Sequence, residues 1–328
     1  MKAVVVRDFG PVGNARVEDI PQPEPGTGEV LVEVQLVPAN FVDTLVMQGN
    51  YQFLPERPFV PGKGPVGTVI ATGSGADRFK LGDRVLAMAE QGGYAQAVSV
   101  AQDQCYRLPD SMSFEDATTI SLAYDTAWFA LHDRARIQPG DNVLVLGATG
   151  AVGLAAIQLA RAAGARTIAG VSSPSKAGLA QKAGADATVD LARPDLRDSL
   201  RAQVRALTDG RGADVIIDPL GADFFDAALR ALAWRGRLVV VGFAAGRIPT
   251  VQANYLLLKN IEVSGVQISD YRKRRPDLVQ KCFDEVFALH TEGRLNPLPV
   301  QVYPLEEFAR ALDDLVNRRV VGRPALRP

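Results

Sequence analysis

The sequence predicts an α/β chain of two domains, an irregular β domain and a doubly wound parallel sheet. Three observations carry this. Residues 143–153 read Val-Leu-Val-Leu-Gly-Ala-Thr-Gly-Ala-Val-Gly, an apolar run, a glycine turn and a helical pattern in succession. Ahead of them, to about Ser121, short apolar runs alternate with glycine and proline. From Asp141 onward the rhythm becomes strand–helix alternation. A length of 328 residues fits about two domains.

The elements follow in order. Met1–Asp8 reads as the first strand, its apolar run too short for a signal peptide. Val30–Leu36 alternates, Val66–Ala71 and Val85–Ala89 are compact apolar runs, and Ala95–Val100 follows Gly92-Gly93. Pro25-Gly26, Gly73-Ser74-Gly75 and Leu81-Gly82-Asp83 supply the turns between them. In the second half the predicted strands are Val143–Leu146, Thr167–Val171, Ala187–Val189, Val215–Asp218, Leu238–Val241 and Ile261–Gly265. Intervening helices close at Gly164 and Gly184. Six such strands make a complete doubly wound sheet. After Gly265, a helix around Phe283–Leu289 and a strand at Leu298–Val302 are expected to pack back on the first domain. The expected boundaries are therefore 1–121, 122–265 and 266–328.

The glycine turn points to a dinucleotide. Gly150 and Gly153 stand at the second and third glycine positions of the fingerprint, with Ala148 at the first. Gly150 lets backbone approach a pyrophosphate, and Gly153 lets helix and strand pack closely. The amides of Ala151 and Val152 open the helix toward the anion. An NAD-preferring site carries an acid at the end of the second strand. Here that strand ends Val171-Ser172-Ser173-Pro174-Ser175-Lys176. Ser172, Ser173 and Lys176 offer the hydroxyls and the cation that a 2′-phosphate needs, so NADP(H) is expected. Ser173 before Pro174 also reads as an ordinary helix N-cap. Asp190 counts against the phosphate, because an acid nearby is unfavourable.

Composition excludes several classes. Hydrophobic residues make up 47% and charged ones 22%, and the formal net charge is −1. Nucleic acid and anionic membrane are therefore not expected partners. The basic run Arg272-Lys273-Arg274-Arg275 reads as a solvated turn, or as a contact for a phosphate-bearing substrate. No apolar stretch is long enough to span a bilayer. Two cysteines imply no disulfide framework, and a cytoplasmic location is expected. His132 and His290 lie far apart and neither adjoins a cysteine, so no metal is expected.

Further motifs carry a resemblance over essentially the whole chain. They are Pro38-Ala39-Asn40-Phe41-Val42-Asp43, Gln48-Gly49-Asn50-Tyr51, Pro58-Phe59-Val60-Pro61-Gly62 and Gly92-Gly93-Tyr94-Ala95. With Ala148–Gly153 they resemble the zinc-independent medium-chain dehydrogenases/reductases, NADPH:quinone oxidoreductases of the zeta-crystallin type above all. The resemblance implies a GroES-like β-barrel catalytic domain ahead of a Rossmann cofactor domain. It implies that Tyr51 donates a hydrogen bond or proton to the substrate, with Asn40 and Asp43 shaping the nicotinamide side. It adds Thr126, Leu220, Gly242, Phe243, Ala244, Val266 and Arg323 as cofactor contacts, with Asp125 in place of a usual leucine before Thr126. Zinc-using relatives place a cysteine where Asn40 stands. The family's Pro-Gly-x-Glu stretch reads Pro61-Gly62-Lys63-Gly64 here, so that part of the pocket should differ.

The implied function is NADPH-dependent reduction of quinones, enones or enals by hydride transfer. Gln48-Gly49-Asn50-Tyr51 is also similar to 2-enoyl thioester reductases, which gives an alternative. A non-enzymatic, crystallin-like NADPH-binding protein is an alternative of another class. The resemblance also implies a homodimer, joined through the strand at Ile261–Gly265.

Overall fold

The computed structural model describes residues 1–320 and 322–328. They divide into two compact units. The first comprises Met1–Leu122, Arg272–Phe287 and Pro297–Pro328, and the second Ala123–Tyr271 and Ala288–Asn296.

The first unit is organised by the strand Glu29–Pro38. Its apolar residues leave Val30, Val32 and Val37 fully buried. It pairs antiparallel with three neighbours, Val66–Thr72, Ala97–Ala101 and Arg323–Arg327. Register shifts at Leu31/Val32 and Val34/Leu36 bend it, which is how one strand serves so many partners. Arg84–Ala87 and Cys105–Arg107 extend the sheet on one side, and Val300–Pro304 on the other. Thus the last strand of the chain is laid beside one of the first. Val4, Val32, Val85, Tyr94, Leu312 and Leu326 share the core.

The second unit is a six-stranded parallel sheet. Its order is Ala187–Asp190, Arg166–Val171, Asn142–Val145, Ala213–Asp218, Leu232–Val240, Glu262–Gly265. The chain winds outward from Asn142–Val145, then crosses to Ala213–Asp218 on its other side. That reversal is the switch point, where the strand ends leave a crevice for a ligand. Val143, Leu144 and Val145 are wholly buried, as a central parallel strand requires. The predicted strands agree with these within a few residues, except that Leu232–Val240 starts earlier.

Helix Ala151–Ala162 ends as predicted. Gly164 adopts φ +79° and Ala165 donates to Ala160 O at 3.0 Å, which closes the last turn. The same device, with Gly184 at φ +105°, closes helix Pro174–Lys182.

The expected 266–328 segment does not stay together. Residues 266–271 and 288–296 cluster with the second unit. Hydrogen bonding explains the second stretch. Gln158 on helix Ala151–Ala162 donates to Asn296 O at 2.9 Å and accepts from Asn296 N at 2.7 Å. Arg294 donates to Ala162 O at 2.7 Å.

Gly153 sets how closely its helix approaches the first strand's turn. A Cβ there would lie 2.5 Å from Gly147 O and 2.8 Å from Ala148 Cα, both backbone. Gly153→Val is expected to cost about 2 kcal/mol or more, because backbone cannot step aside. Urea unfolding of the variant checks this.

Candidate active site

In the second unit the glycine turn forms a cradle. Gly150 stands just before the helix, and its N–H turns back to Gly147 O at 3.0 Å. A Cβ on Gly150 would meet only Gly147 O, at 3.4 Å, so this side of the turn is open to a ligand. Intrahelical pairing resumes when Leu154 N donates to Gly150 O, which leaves the amides from Ala151 to Gly153 ahead of the first helical bond. The left-handed residue of the turn is Gly147, φ +56°. Sequence reasoning placed the first glycine role on Ala148 and missed it, because a left-handed conformation leaves no mark in spacing.

Leu220, Gly242, Phe243 and Ala244 come together beside this turn. Leu220 packs where a Cβ on Gly147 would point, 3.0 Å away. Ala244 N donates to Pro219 O at 3.1 Å, and Phe243 lies against Gly221. Asp218 organises the corner. Its Oδ1 accepts from Leu220 N and Gly221 N, each at 2.9 Å, and burial pushes its carboxyl above the usual range. Thr126 lies on helix Tyr124–Trp128, where its N–H donates to Asp125 Oδ1 at 2.7 Å. The Val266 N–H already donates to Val240 O at 3.1 Å, so of its backbone only the carbonyl is left for a ligand. This narrows the expectation drawn from the family.

At the end of Arg166–Val171, Lys176 Nζ donates to Ser172 Oγ at 3.0 Å. Ser173 occupies the N-cap position before Pro174, but its hydroxyl makes no cap bond and meets Ser175 Oγ at 3.1 Å. Asp190 accepts from Ala192 N at 2.9 Å and has Arg193 Nε at 3.9 Å. That exposed pair is weak, so the acid still counts against a nearby phosphate. Arg193 was not foreseen.

In the first unit Asn40, Asp43 and Arg323 form one buried network. Asp43 is fully buried at the first turn of helix Phe41–Met47. Its Oδ2 accepts from Asn40 N at 3.0 Å, Asn40 Nδ2 at 3.1 Å and the Tyr94 hydroxyl at 2.9 Å. Asn40 Nδ2 also donates to Pro38 O and Lys63 O, and Asn40 Oδ1 accepts from Arg323 Nη2 at 2.5 Å. Arg323 is buried as well. The amide of Asn40 is therefore occupied on both sides, and Asp43 positions its neighbours. Arg323, expected at the cofactor, donates to Asn40 Oδ1 and to Ser121 O in this network. A buried guanidinium needs such acceptors.

Tyr51 is half-buried, edge to face with Phe53, ring centres 6.4 Å apart. Lys63 Nζ lies 5.9 Å from the Tyr51 ring centre and donates to Glu90 Oε2 at 2.5 Å. Gly64 has φ +66°, and a Cβ there would lie 2.1 Å from Ser121 Oγ, which donates to Gly64 O at 2.7 Å. The serine hydroxyl therefore occupies the space into which the family's acid would lead. Sequence reasoning missed Tyr94, Lys63, Ser121 and Glu90 as site-builders. The first two lay inside motifs already singled out. An open groove of about 530 Å³ in this unit, lined by Met1, Ile20 and Pro58 among others, holds none of these side chains. Among the described residues no three His, Cys, Asp or Glu side chains cluster to hold a metal ion. No described helix is long and apolar enough to cross a membrane.

A GroES-like β domain and a Rossmann unit with a dinucleotide cradle define a two-domain dehydrogenase or reductase. Comparison with known proteins makes the class definite. The family model "Alcohol dehydrogenase GroES-like domain" matches residues 26–110, and "Zinc-binding dehydrogenase" matches 151–284. Quinone oxidoreductase-like protein 2 of Mus musculus is 37% identical over 92% of this chain and 85% of its own length. Quinone oxidoreductase of Pseudomonas aeruginosa is 35% identical over 93% of each. The structure of Escherichia coli quinone oxidoreductase complexed with NADPH superposes with a TM-score of 0.91, 28% identity and full coverage of both chains. The chain belongs to the quinone oxidoreductase family of medium-chain dehydrogenases/reductases.

Burial pushes the Asp43 carboxyl up to about 6, against the opposing pull of Lys63, Tyr94 and Asn40. A carboxyl raised in the folded state binds its proton more readily there than in the unfolded chain. Its contribution therefore falls as pH rises from about 4 to about 6, by on the order of 3 kcal/mol. Asp43→Asn is expected to lose that slope. Wild-type stability minus that of the variant, from urea unfolding, should drop between pH 4 and 7, and a constant difference would contradict the burial effect.

Proposed function

We propose that the protein is an NADPH-dependent reductase of quinones and other activated double bonds, enones and enals included, working without zinc. One observation carries the cofactor choice. Lys176 and Ser172 are paired at the end of the second strand, where an NAD site would place an acid, and the Ser173 hydroxyl is not spent on capping. The family relatives support the same reading, since the E. coli enzyme was solved with NADPH. A sequence with two cysteines and two histidines, and with Asn40 where zinc-using relatives place a cysteine, supports chemistry without zinc.

When bound, NADPH supplies a hydride, and the acceptor takes it together with a proton to become the reduced product. The chain's own residues bind and orient. The amides at the start of helix Ala151–Ala162 take the pyrophosphate, and Ser172, Ser173 and Lys176 take the 2′-phosphate. Leu220, Gly242, Phe243 and Ala244 wall the cofactor, and the Val266 carbonyl accepts from its amide. Thr126 stays with this group, on the helix that opens the unit. The Tyr51 hydroxyl donates to the acceptor oxygen as negative charge develops there. Asn40 and Asp43, with Arg323, keep the segment leading to Tyr51 in place. For a quinone, water can deliver the proton, so Tyr51 stabilises charge rather than acting as an obligatory acid.

A second reading, reduction of 2-enoyl thioesters, draws on Lys273. It stands 5.5 Å from the Phe53 ring centre, next to Tyr51, and could meet a phosphate-bearing acyl carrier. We also propose a homodimer in a reducing cytoplasm. Glu262–Gly265 is the last strand of its sheet, and Leu257 and Leu258 on the helix just before it are largely exposed.

Lys176→Ala is expected to raise KM for NADPH about tenfold while leaving NADH within about twofold, as loss of one phosphate contact requires. Steady-state kinetics with both cofactors checks this, and an equal effect on the two removes the phosphate assignment. Tyr51→Phe should lower kcat about tenfold or more on an enoyl thioester if that reading holds, and only a few-fold on a quinone. Unchanged kcat and KM on both would remove Tyr51 from the site. A dimer is expected in sedimentation at micromolar concentration.

A further inference from the structure

The basic run Arg272–Arg275, expected as a solvated turn, instead ends the helix Ile268–Arg274, with Arg272 buried. Lys273 reaches the segment that carries Tyr51, and Arg272 reaches Glu90, all within the first unit. Lys273 Nζ faces the Phe53 ring, and Arg272, almost fully buried, donates to Glu90 Oε1 at 2.9 Å. Glu90 accepts from Lys63 on its other oxygen, and Lys63 faces the Tyr51 ring. Tyr51 and Phe53 thus form a two-ring step in which each ring has its own ammonium. Phe53 remains 49% exposed, so one face of the step is available.

The chemistry of this step is specific. Ring faces are electron-rich and draw cations, which holds the ammonium groups close to the aromatic surface. Lys63 is buried and needs a carboxylate, and Glu90 supplies it while also holding Arg272. Asp43, the other carboxylate near Lys63, already accepts three hydrogen bonds. A flat acceptor lying along Tyr51 and Phe53 gains offset or edge contacts with the rings. If it also carries a negative charge, that charge falls beside ammonium groups in a partly dry setting, where attraction is several-fold stronger than in water.

We propose that Lys63 and Lys273, set over Tyr51 and Phe53, select flat aromatic acceptors bearing an anionic substituent, such as a carboxylate or sulfonate, over neutral ones. This rests on the acceptor-reducing function argued above and adds the acceptor's shape and charge. The probes are 1,4-naphthoquinone and 1,4-naphthoquinone-2-sulfonate, which share one ring system. The readout is the ratio of kcat/KM for the sulfonate over the neutral quinone, compared between wild type and variants. Lys273→Gln and Lys63→Gln are each expected to lower that ratio about threefold or more, chiefly through KM of the sulfonate, and the double variant about tenfold. Lys63→Arg should keep it near the wild-type value. Lys273 is at the surface, so its variant decides the matter even where the buried Lys63→Gln fails to fold. A ratio that stays constant in Lys273→Gln and in the double variant overturns the proposal. Equilibrium dialysis of both quinones against wild type and variants gives the same ratio as binding. If the wild type reduces neither quinone, the reductase reading fails, and the dialysis ratio still decides the charge preference.

Discussion

The first unit depends on one buried carboxylate. Asp43 is removed from water, and such a group persists only where donors converge on it. Three converge on Oδ2, two from Asn40 and one from Tyr94. Asn40 passes the constraint on, through its oxygen to Arg323 and through its amide to the Lys63 carbonyl. The start of a helix, a glycine-rich loop, a strand-leading tyrosine and the last strand of the chain are thereby tied together. Tyr51 inherits its place from this knot. Helix Phe41–Met47 begins on it, and Asn50 N donates to Leu45 O at 2.8 Å as the chain leaves that helix.

The second unit meets the opposite requirement. Its candidate site gathers hydrogen-bond donors suited to an anion. They are the amides at the start of helix Ala151–Ala162 and the side chains of Ser172, Ser173 and Lys176, which bond one another or the neighbouring Ser175. A carboxylate does appear at the corner, Asp218, but it is turned on the backbone of Leu220 and Gly221 and shapes the wall. Asp190 accepts from the Ala192 amide, with Arg193 at 3.9 Å.

How much of this was legible in the sequence follows from the range of each interaction. The glycine turn, the six strands and the helix-closing glycines are local, and periodicity with glycine placement found them within a few residues, apart from the early start of Leu232–Val240. The GroES-like and Rossmann assignment agrees with the family models over 26–110 and 151–284. Contacts between distant residues were not legible. Arg323 bonds to Asn40 across 283 positions, and nothing near Arg323 in the chain announces it. Ser121 fills the space above Gly64 from 57 positions away, which turns an apparent loss of an acid into a repacked corner. Conformation was the other blind spot. The left-handed turn at Gly147, the uncapped hydroxyl of Ser173 and the engaged N–H of Val266 depend on backbone geometry that residue identity leaves open.

The most direct measurement is anaerobic mixing of the protein with stoichiometric NADPH, followed by a panel of quinones, enones and enoyl thioesters, with absorbance at the reduced-nicotinamide band. The account predicts that NADPH binds, stays reduced alone, and is oxidised in a single turnover by quinones, one equivalent per acceptor. NADPH that binds and is oxidised by no member of the panel would contradict it and favour a non-enzymatic role.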